Sequence, residues 1–206
     1  MDLSLLLSFI AASALLTLMP GPDILFVLTE SITKGARYGI AVATGLVSGL
    51  IIHTAAAATG LSLLLKNSPQ LFSVVCYLGA SYLLYLAYLA YNEAQPVMEE
   101  GRGPNSSFRF AKYFKTGFFM NVMNPKVALF FLAFLPQFVN QSESSPALQI
   151  FFLGFLFMLQ AYLIFTGVAL LAGQATVLLR TPRFWIVLKW AKIAVLLLLA
   201  LLVAFR

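Results

Sequence analysis

Long apolar stretches separated by short polar joints make up most of this chain of 206 residues. A helix needs about 20 consecutive apolar residues to cross the hydrocarbon core of a membrane, and several stretches reach that length. We predict six membrane spans, at residues 3–29, 39–65, 70–91, 113–139, 146–172 and 184–205. The predicted fold is therefore an all-α membrane protein.

Two of the six predicted spans are interrupted by helix-breaking and charged residues. The first span contains Pro20-Gly21-Pro22-Asp23, and the fourth contains Asn124-Pro125-Lys126. Proline removes a backbone donor from a helix, and a charge at membrane depth is costly. Broken helices in corresponding positions of two halves of a chain are typical of binding sites in secondary transporters. We therefore predict that both breaks bind substrate or a coupling ion.

The composition agrees with a membrane protein. Hydrophobic residues are 61% of the chain, charged residues are 10%, and the mean hydropathy is +0.93. The net charge of +6 would also suit a nucleic-acid partner, but the basic residues lie beside the apolar spans. That placement indicates a topology signal and contact with anionic lipid headgroups, so we expect membrane lipid and no nucleic acid as a partner.

Positive charges predict the orientation in the membrane. The first, third and fifth joints contain most of the joint lysines and arginines: Lys34, Arg37, Arg102, Arg109, Lys112, Arg180 and Arg183. Because cytoplasmic joints carry the excess of basic residues, we expect these three joints in the cytoplasm and both termini on the outer face of a bacterial inner membrane. Lys189 and Lys192 are expected near the cytoplasmic end of the last span, where their side chains can reach the interface.

The long joint at residues 92–112 is predicted to be a cytoplasmic linker between two three-helix repeats, residues 1–91 and 113–206. Three spans per repeat is an odd number, so the second repeat must run inverted relative to the first. The two broken spans would then cross antiparallel and bring their breaks together near the centre of the bundle.

The first break has two interpretations. Pro20 and Pro22 disrupt the helix, Gly21 tolerates unusual backbone angles, and the partial positive charge at the start of the second half-helix attracts a carboxylate. The simpler interpretation is a proline kink capped by Asp23. The matching break in the other half favours a transport site.

The second break repeats this logic with the opposite charge. Asn124 is predicted to cap the following half-helix, Pro125 suits its first position, and Lys126 brings an ammonium to membrane depth. An unpaired lysine there needs a partner, and Asp23 is the expected one. The alternative is a buried ion pair that only fixes how the helices align.

Other polar residues within the spans are further candidates. His53 suits a proton relay, although a lone histidine on a packed helix is equally often just hydrogen-bonded. Glu30 is expected to be an interfacial or gating charge. Three residues are candidates for lining a cavity: Tyr82, Gln160 and Tyr162.

Glycines in the second span predict a close helix contact. Gly45 and Gly49 are four residues apart, and small residues at this spacing let two helices approach closely. Packing within the bundle is the favoured interpretation, and a homodimer interface is the alternative.

Several kinds of site are not predicted. The chain has no GxxxxGK[ST] phosphate loop, and its one histidine and one cysteine are far apart, which argues against ATP drive and a soft-metal site. No serine–histidine–acid pattern is evident. We expect no catalytic residue, metal or cofactor.

Taken together, these motifs resemble the LysE/RhtB family of amino-acid exporters. The resemblance rests on Pro20-Gly21-Pro22-Asp23 with the glycines after it, on Asn124-Pro125-Lys126, and on Leu135-Pro136-Gln137-Phe138. It covers essentially the whole chain and implies an inner-membrane exporter of amino acids or related metabolites, driven by the proton gradient. Members often have asparagine at the position of Asp23, so an acid here favours a proton- or cation-linked role.

The leading hypothesis is a secondary transporter that exports small amino acids and takes up protons. A cation or metal exporter of the same architecture is the alternative within transport. An intramembrane enzyme and a structural subunit are the alternatives from other classes. The residues leave open which amino acid is carried.

Overall fold

A computed structural model describes residues 3–61, 69–92, 108–140, 145–179 and 181–205. Most of the predicted linker lies outside these residues, as do parts of the second, fourth and fifth joints. In the described part of the chain, all regular structure is helical.

The described residues form eight α-helices, and α3 and α6 each continue into a turn of another helix type. Their bounds are α1 Leu3–Leu18, α2 Pro22–Lys34, α3 Ala36–Ala56, α4 Pro69–Asn92, α5 Phe110–Val122, α6 Pro125–Leu129, α7 Pro146–Leu179 and α8 Pro182–Ala204. A π-helical turn, Ala57–Leu61, extends α3. Helix α6 continues as a π-helical turn, Phe130–Phe134, and then as a 3-10 turn, Leu135–Phe138.

The described helices form four to six membrane spans. Helices α3, α4, α7 and α8 are each long and apolar enough to cross a membrane alone. The two remaining spans are bent pairs: α1 and α2 meet at 58°, and α5 meets Pro125–Phe138 at 49°. Six spans result if each bent pair counts as one, and the bends fall at the two breaks that the sequence predicts. The chain is a multi-pass membrane protein.

Helix α3 occupies the centre of the bundle. It packs against α5 and α7, and also against α2, while α7 in turn contacts α1 and α2. Helices α4 and α8 pack mainly against each other; both also contact the turn Phe130–Phe134, and α8 contacts α7. The breaks therefore lie between a central group of helices and the α4–α8 pair.

Apolar side chains cover much of the outer surface. Large exposed ones include Leu3, Leu163 and Val187, which are 67%, 64% and 69% exposed. In water such a surface would drive aggregation, whereas lipid tails solvate it without penalty. The exposed faces of the helices are therefore the lipid-facing surface.

Candidate functional site

The first break is a short non-helical link between α1 and α2. Gly21 is the residue that precedes α2, with an extended backbone, and Pro22 is the first helical residue. Asp23 lies in the first turn of α2 and is only 5% exposed. No side chain caps this helix, so the interpretation of Asp23 as the cap of a proline kink is wrong. Its carboxylate points elsewhere.

The second break is capped as the sequence predicts. Asn124 precedes α6 and its Oδ1 accepts a hydrogen bond from the backbone N–H of Lys126, at 3.0 Å. Pro125 is the first helical residue, where its missing N–H is not needed. The cap satisfies a donor that lipid could not satisfy.

A single hydrogen bond joins the two breaks. Asn124 Nδ2 donates to Asp23 Oδ2 at 2.9 Å, and both side chains are buried. Asn124 thus uses its oxygen to cap its own helix and its nitrogen to hold the carboxylate of the other break. The second carboxylate oxygen, Asp23 Oδ1, is buried and accepts no hydrogen bond from the described residues. A buried carboxylate oxygen without a donor is unusual in proteins and requires an explanation.

Lys126 crosses toward the first break but does not pair directly with Asp23. Among the described residues, the ion pair formed is Lys34 with Glu30 and not Lys126 with Asp23. The two residues do lie near one another, as expected, because both line one small chamber; their side chains form no direct ion pair, and Asn124 is the residue that donates to the carboxylate. The ammonium lies beside Gly21, and a Cβ added there would be 3.3 Å from Lys126 Nζ. Glycine at this position leaves room for the lysine.

Two spaces of different size border the breaks. The smaller is a chamber of about 20 Å³, roughly enough for one water molecule, and its polar lining residues are Thr17, Asp23, Asn121 and Lys126. The larger is a cavity of about 400 Å³ between the breaks and the α4–α8 pair, within the range of small-molecule sites. Lys126 lines both spaces, so its side chain forms part of the partition between them.

The conformation of His53 is set by the backbone near the second break. Its Nε2 lies 3.0 Å from the carbonyl oxygen of Asn121, and because a carbonyl only accepts, Nε2 carries the proton. His53 is buried, and its ring lies 5.9 Å from that of Phe131. Asn121 lines the small chamber together with Asp23, so His53 is hydrogen-bonded and also lies close to that chamber.

The chain also resembles known proteins over most of its length. The family model described as LysE type translocator matches residues 14–206. The chain belongs to the LysE family. Membership in a family of translocators makes it a transporter and not an enzyme, with a small-molecule substrate and membrane lipid as its partners.

Curated relatives of this LysE-family chain include two leucine efflux proteins. The protein from Salmonella typhimurium (strain LT2) is 33% identical over 148 residues, which cover 71% of this chain and 68% of the relative. The protein from Klebsiella pneumoniae is 32% identical over 148 residues, covering 71% and 69%. An uncharacterized membrane protein of Bacillus subtilis is 32% identical over 142 residues, covering 66% and 68%. No solved structure matches.

Of the three residues that were predicted to line a cavity in this LysE-family chain, one lines the larger cavity and two do not. Tyr82 lines the larger cavity, beside both breaks. Gln160 lines neither the chamber nor this cavity; its Oε1 accepts a hydrogen bond from Ser13 Oγ at 2.8 Å and thereby ties α7 to α1. Tyr162 is half-buried on α7 and also lines neither space.

The predicted glycine contact is formed within the bundle. A Cβ added to Gly45 would collide with the backbone carbonyl of Phe114 on α5, and one added to Gly49 would lie 2.8 Å from Asn121 Oδ1. On the facing helix, a Cβ added to Gly117 would collide with the carbonyl of Val42. Because α5 of the same chain covers this face, a homodimer cannot use it.

Glu30 is paired with a lysine one turn away. Lys34 Nζ donates to Glu30 Oε2 at 2.7 Å, and the same ammonium lies 5.2 Å from the ring centre of Tyr113. The pair lies at the end of α2 that is remote from the break, and Glu30 lines neither the small chamber nor the larger cavity.

One residue at the larger cavity was missed by the sequence reasoning. Lys192 lines it together with Lys126, whereas the sequence interpretation placed this lysine at the membrane interface. The signal was available: Lys192 is the eleventh residue of α8, roughly 15 Å along the helix at 1.5 Å per residue, too deep for an interfacial position.

Proposed function

We propose that this LysE-family transporter exports small amino acids, first among them apolar ones such as leucine, across the bacterial inner membrane in exchange for protons. The relatives named as leucine efflux proteins support the substrate class. The size of the larger cavity, about 400 Å³, also suits a small molecule.

The observation that carries the proposal is the hydrogen bond from Asn124 to Asp23 beside that cavity. It joins the two helix breaks and leaves one carboxylate oxygen without a donor. A purely structural kink has no use for a buried carboxylate that is only half satisfied, because such a group is costly. A transporter needs a group that gains and loses partners during its cycle.

Each break has a role in this proposal. The substrate carboxylate meets Lys126, and the substrate ammonium meets Asp23 and the carbonyls that Pro20 and Pro22 leave unpaired. Gly21 and Pro125 supply the backbone shape. Asp23 carries the coupling proton on its unbonded oxygen, with His53 as the relay that exchanges this proton through the chamber.

The packing pattern supports two inverted repeats. The second span, α3, packs against α5 of the fourth span, and correspondingly the fifth span, α7, packs against α1 and α2 of the first span. Helices α4 and α8, the last of each half, pack against each other. Exchanging the two halves leaves these pairings unchanged, as expected for repeats related by a two-fold axis.

Orientation is tested separately. With Cys76 replaced by alanine and a cysteine placed at position 105, we expect no labelling by a membrane-impermeant maleimide in intact cells and full labelling after lysis. Labelling in intact cells would overturn the cytoplasmic position of residues 92–112 and, with it, the inverted repeat.

Flux measurements test the function. Purified protein in proteoliposomes should move leucine faster with a pH gradient than without one, and faster than lysine or glutamate. Movement of inorganic cations without any amino-acid flux would favour the cation-exporter alternative. Equal rates with and without the gradient would remove proton coupling from the proposal.

A further inference from the structure

Two residues that line the small chamber have oxygens without a donor. Asp23 and Asn121 each contain one buried side-chain oxygen, Oδ1 in both, that receives no hydrogen bond from the described residues. The two residues are only 5% and 3% exposed, so bulk water does not satisfy these oxygens. Most buried polar atoms in proteins have a partner, so two such oxygens beside one space require an explanation.

Thr17 adds a third acceptor to the same chamber. Its hydroxyl donates to the backbone carbonyl of Ser13 at 2.8 Å, so its oxygen can only accept a further hydrogen bond. The carboxylate of Asp23 is committed on one side in a similar way, because Oδ2 accepts from Asn124 and Oδ1 is the oxygen that remains. Side chains with acceptor capacity thus line the chamber at three positions: Thr17, Asp23 and Asn121.

The size of the chamber limits the group that these oxygens can hold. A volume of about 20 Å³ admits one water-sized group. A water molecule donates two hydrogen bonds and leaves one of three acceptors unsatisfied. A primary ammonium donates three, and it carries the charge that a buried carboxylate attracts. The ammonium therefore matches the chamber in its number of donors, in size and in charge.

The chamber lies next to the larger cavity, so one substrate can reach both spaces. Met19 and Lys126 line the chamber and the cavity alike. A free cation in the chamber would be repelled by the Lys126 ammonium, whereas a zwitterion brings a carboxylate that compensates this charge. The aliphatic side chain of such a zwitterion can remain in the cavity, where Leu86 and Leu196 line the wall.

We infer that Thr17 and Asn121 are substrate-binding residues, which together with Asp23 hold the primary ammonium of the transported amino acid and exclude N-methylated amines. An N-methyl group removes one donor and adds a carbon atom for which a chamber of this size has no room. The inference rests on the proposed function and adds to it two residues outside the breaks. Because Asp23 Oδ1 is also the proposed proton site, ammonium and proton occupy it in turn, as exchange requires.

The first measurement uses the parent chain and so does not depend on the folding of a variant. Binding to the purified full-length protein in nanodiscs is measured with L-leucine, with N-methyl-L-leucine and with 3-methylbutylamine, which is leucine without its carboxylate. N-methyl-L-leucine keeps both charges. We expect it to bind about tenfold or more weakly than leucine, because one charge-assisted hydrogen bond is lost and the methyl group is crowded.

Thr17→Val tests one acceptor with little change in side-chain shape. It removes the hydroxyl and should weaken leucine binding by about tenfold, the loss of one charge-assisted hydrogen bond. Thr17→Ser keeps the hydroxyl and should bind leucine within about fourfold of the parent, because only a methyl group is lost. Asn121→Ala removes another acceptor, retains the backbone carbonyl that accepts from His53, and should also weaken leucine binding by about tenfold.

Thr44 provides a matched control on α3. Its hydroxyl also donates to the carbonyl four residues earlier, that of Ile40, at 2.8 Å, and Thr44 lines neither the chamber nor the larger cavity. Thr44→Val makes the same chemical change at a half-buried position and should leave the affinity for all three probes unchanged. An equal loss in Thr44→Val and Thr17→Val would show a general effect of removing a helix hydroxyl and overturn the inference.

The outcomes separate the inference from the proposed function. Equal affinity of the parent for leucine and N-methyl-L-leucine, or parental leucine affinity in both Thr17→Val and Asn121→Ala, overturns the inference and leaves amino-acid export standing. A parent that binds 3-methylbutylamine through Thr17 but binds no amino acid supports the ammonium site and overturns amino-acid export. A parent that binds none of the three probes overturns the inference.

Discussion

The contact between α3 and α5 and the meeting point of the two breaks differ in how tightly they are packed. At the α3–α5 contact, Gly45 and Gly117 face backbone atoms of the opposite helix so closely that a methyl group has no room. At the breaks, a polar chamber and a cavity of about 400 Å³ separate the helices. The first region is held by close backbone packing, and the second by a few polar contacts.

This difference separates folding from transport. Close packing in a membrane is lost when backbones are pushed apart, because dispersion contacts rather than hydrophobic burial hold the helices together. Polar contacts at the breaks can be exchanged for contacts to a substrate or a proton. Substitutions in the first region should therefore affect stability, and substitutions in the second should affect flux.

The largest effect on stability is expected for Gly45. Gly45→Ala places a methyl group against the carbonyl of Phe114 and should destabilise the protein by about 1–3 kcal/mol, and Gly45→Leu should give no folded protein. Gly167→Ala is the control, because a Cβ there meets no atom within 4 Å. Thermal unfolding in detergent micelles measures both. A Gly45→Ala protein as stable as the Gly167→Ala control would contradict the close contact.

The next largest effect is expected at Asn124, where two functions of one side chain can be separated. Asn124→Asp keeps an oxygen to cap α6 but removes the donor to Asp23 and puts a second carboxylate beside it. We expect near-normal insertion with strongly reduced leucine flux. Asn124→Ala removes the cap as well and should cost about 1 kcal/mol more in stability. Normal flux in Asn124→Asp would show that the link between the breaks is dispensable.

The smallest effect is expected for the pair at the far end of α2. The double replacement Glu30→Gln, Lys34→Met removes this i,i+4 ion pair without leaving a buried carboxylate unpaired, and should change stability by about 0.5 kcal/mol or less, with flux close to that of the parent. Thermal unfolding in detergent micelles measures the stability, and leucine flux in proteoliposomes measures the transport. A severe loss of flux without loss of stability would instead identify Glu30 as a gating charge.

The sequence predicted the framework because the framework depends on local signals. Apolar run length located the spans, and proline with asparagine located the bends and the cap at Asn124. Span ends and helix ends were not the same thing: the apolar span ends at Ala172, as predicted, whereas helix α7 continues to Leu179. Span length is set by hydropathy, and hydropathy does not say where a helix stops.

Partner choice at the site could not be predicted from the sequence. The opposite charges of Asp23 and Lys126 predicted a direct ion pair between them. In the structure, the side-chain amide of Asn124 donates to the Asp23 carboxylate. Likewise, the partner of His53 is a backbone carbonyl, which no side-chain pattern marks. The depth of Lys192 within α8 could be read from the sequence, but the cavity that it lines could not, because that cavity depends on how α8 faces α4, a long-range contact that local pattern does not encode.

The most direct test of the central claim is leucine flux through the double variant Asp23→Asn, Lys126→Gln in proteoliposomes. Asparagine at position 23 can still accept the hydrogen bond from Asn124, so the geometry of the breaks should persist while both charges are lost. We predict a folded protein with little flux, and for Asp23→Asn alone a weaker dependence on the pH gradient. If the two residues were only a structural pair, the double variant would recover the stability and transport that each single change loses. Full leucine flux in the double variant would contradict the assignment of the breaks as the transport site.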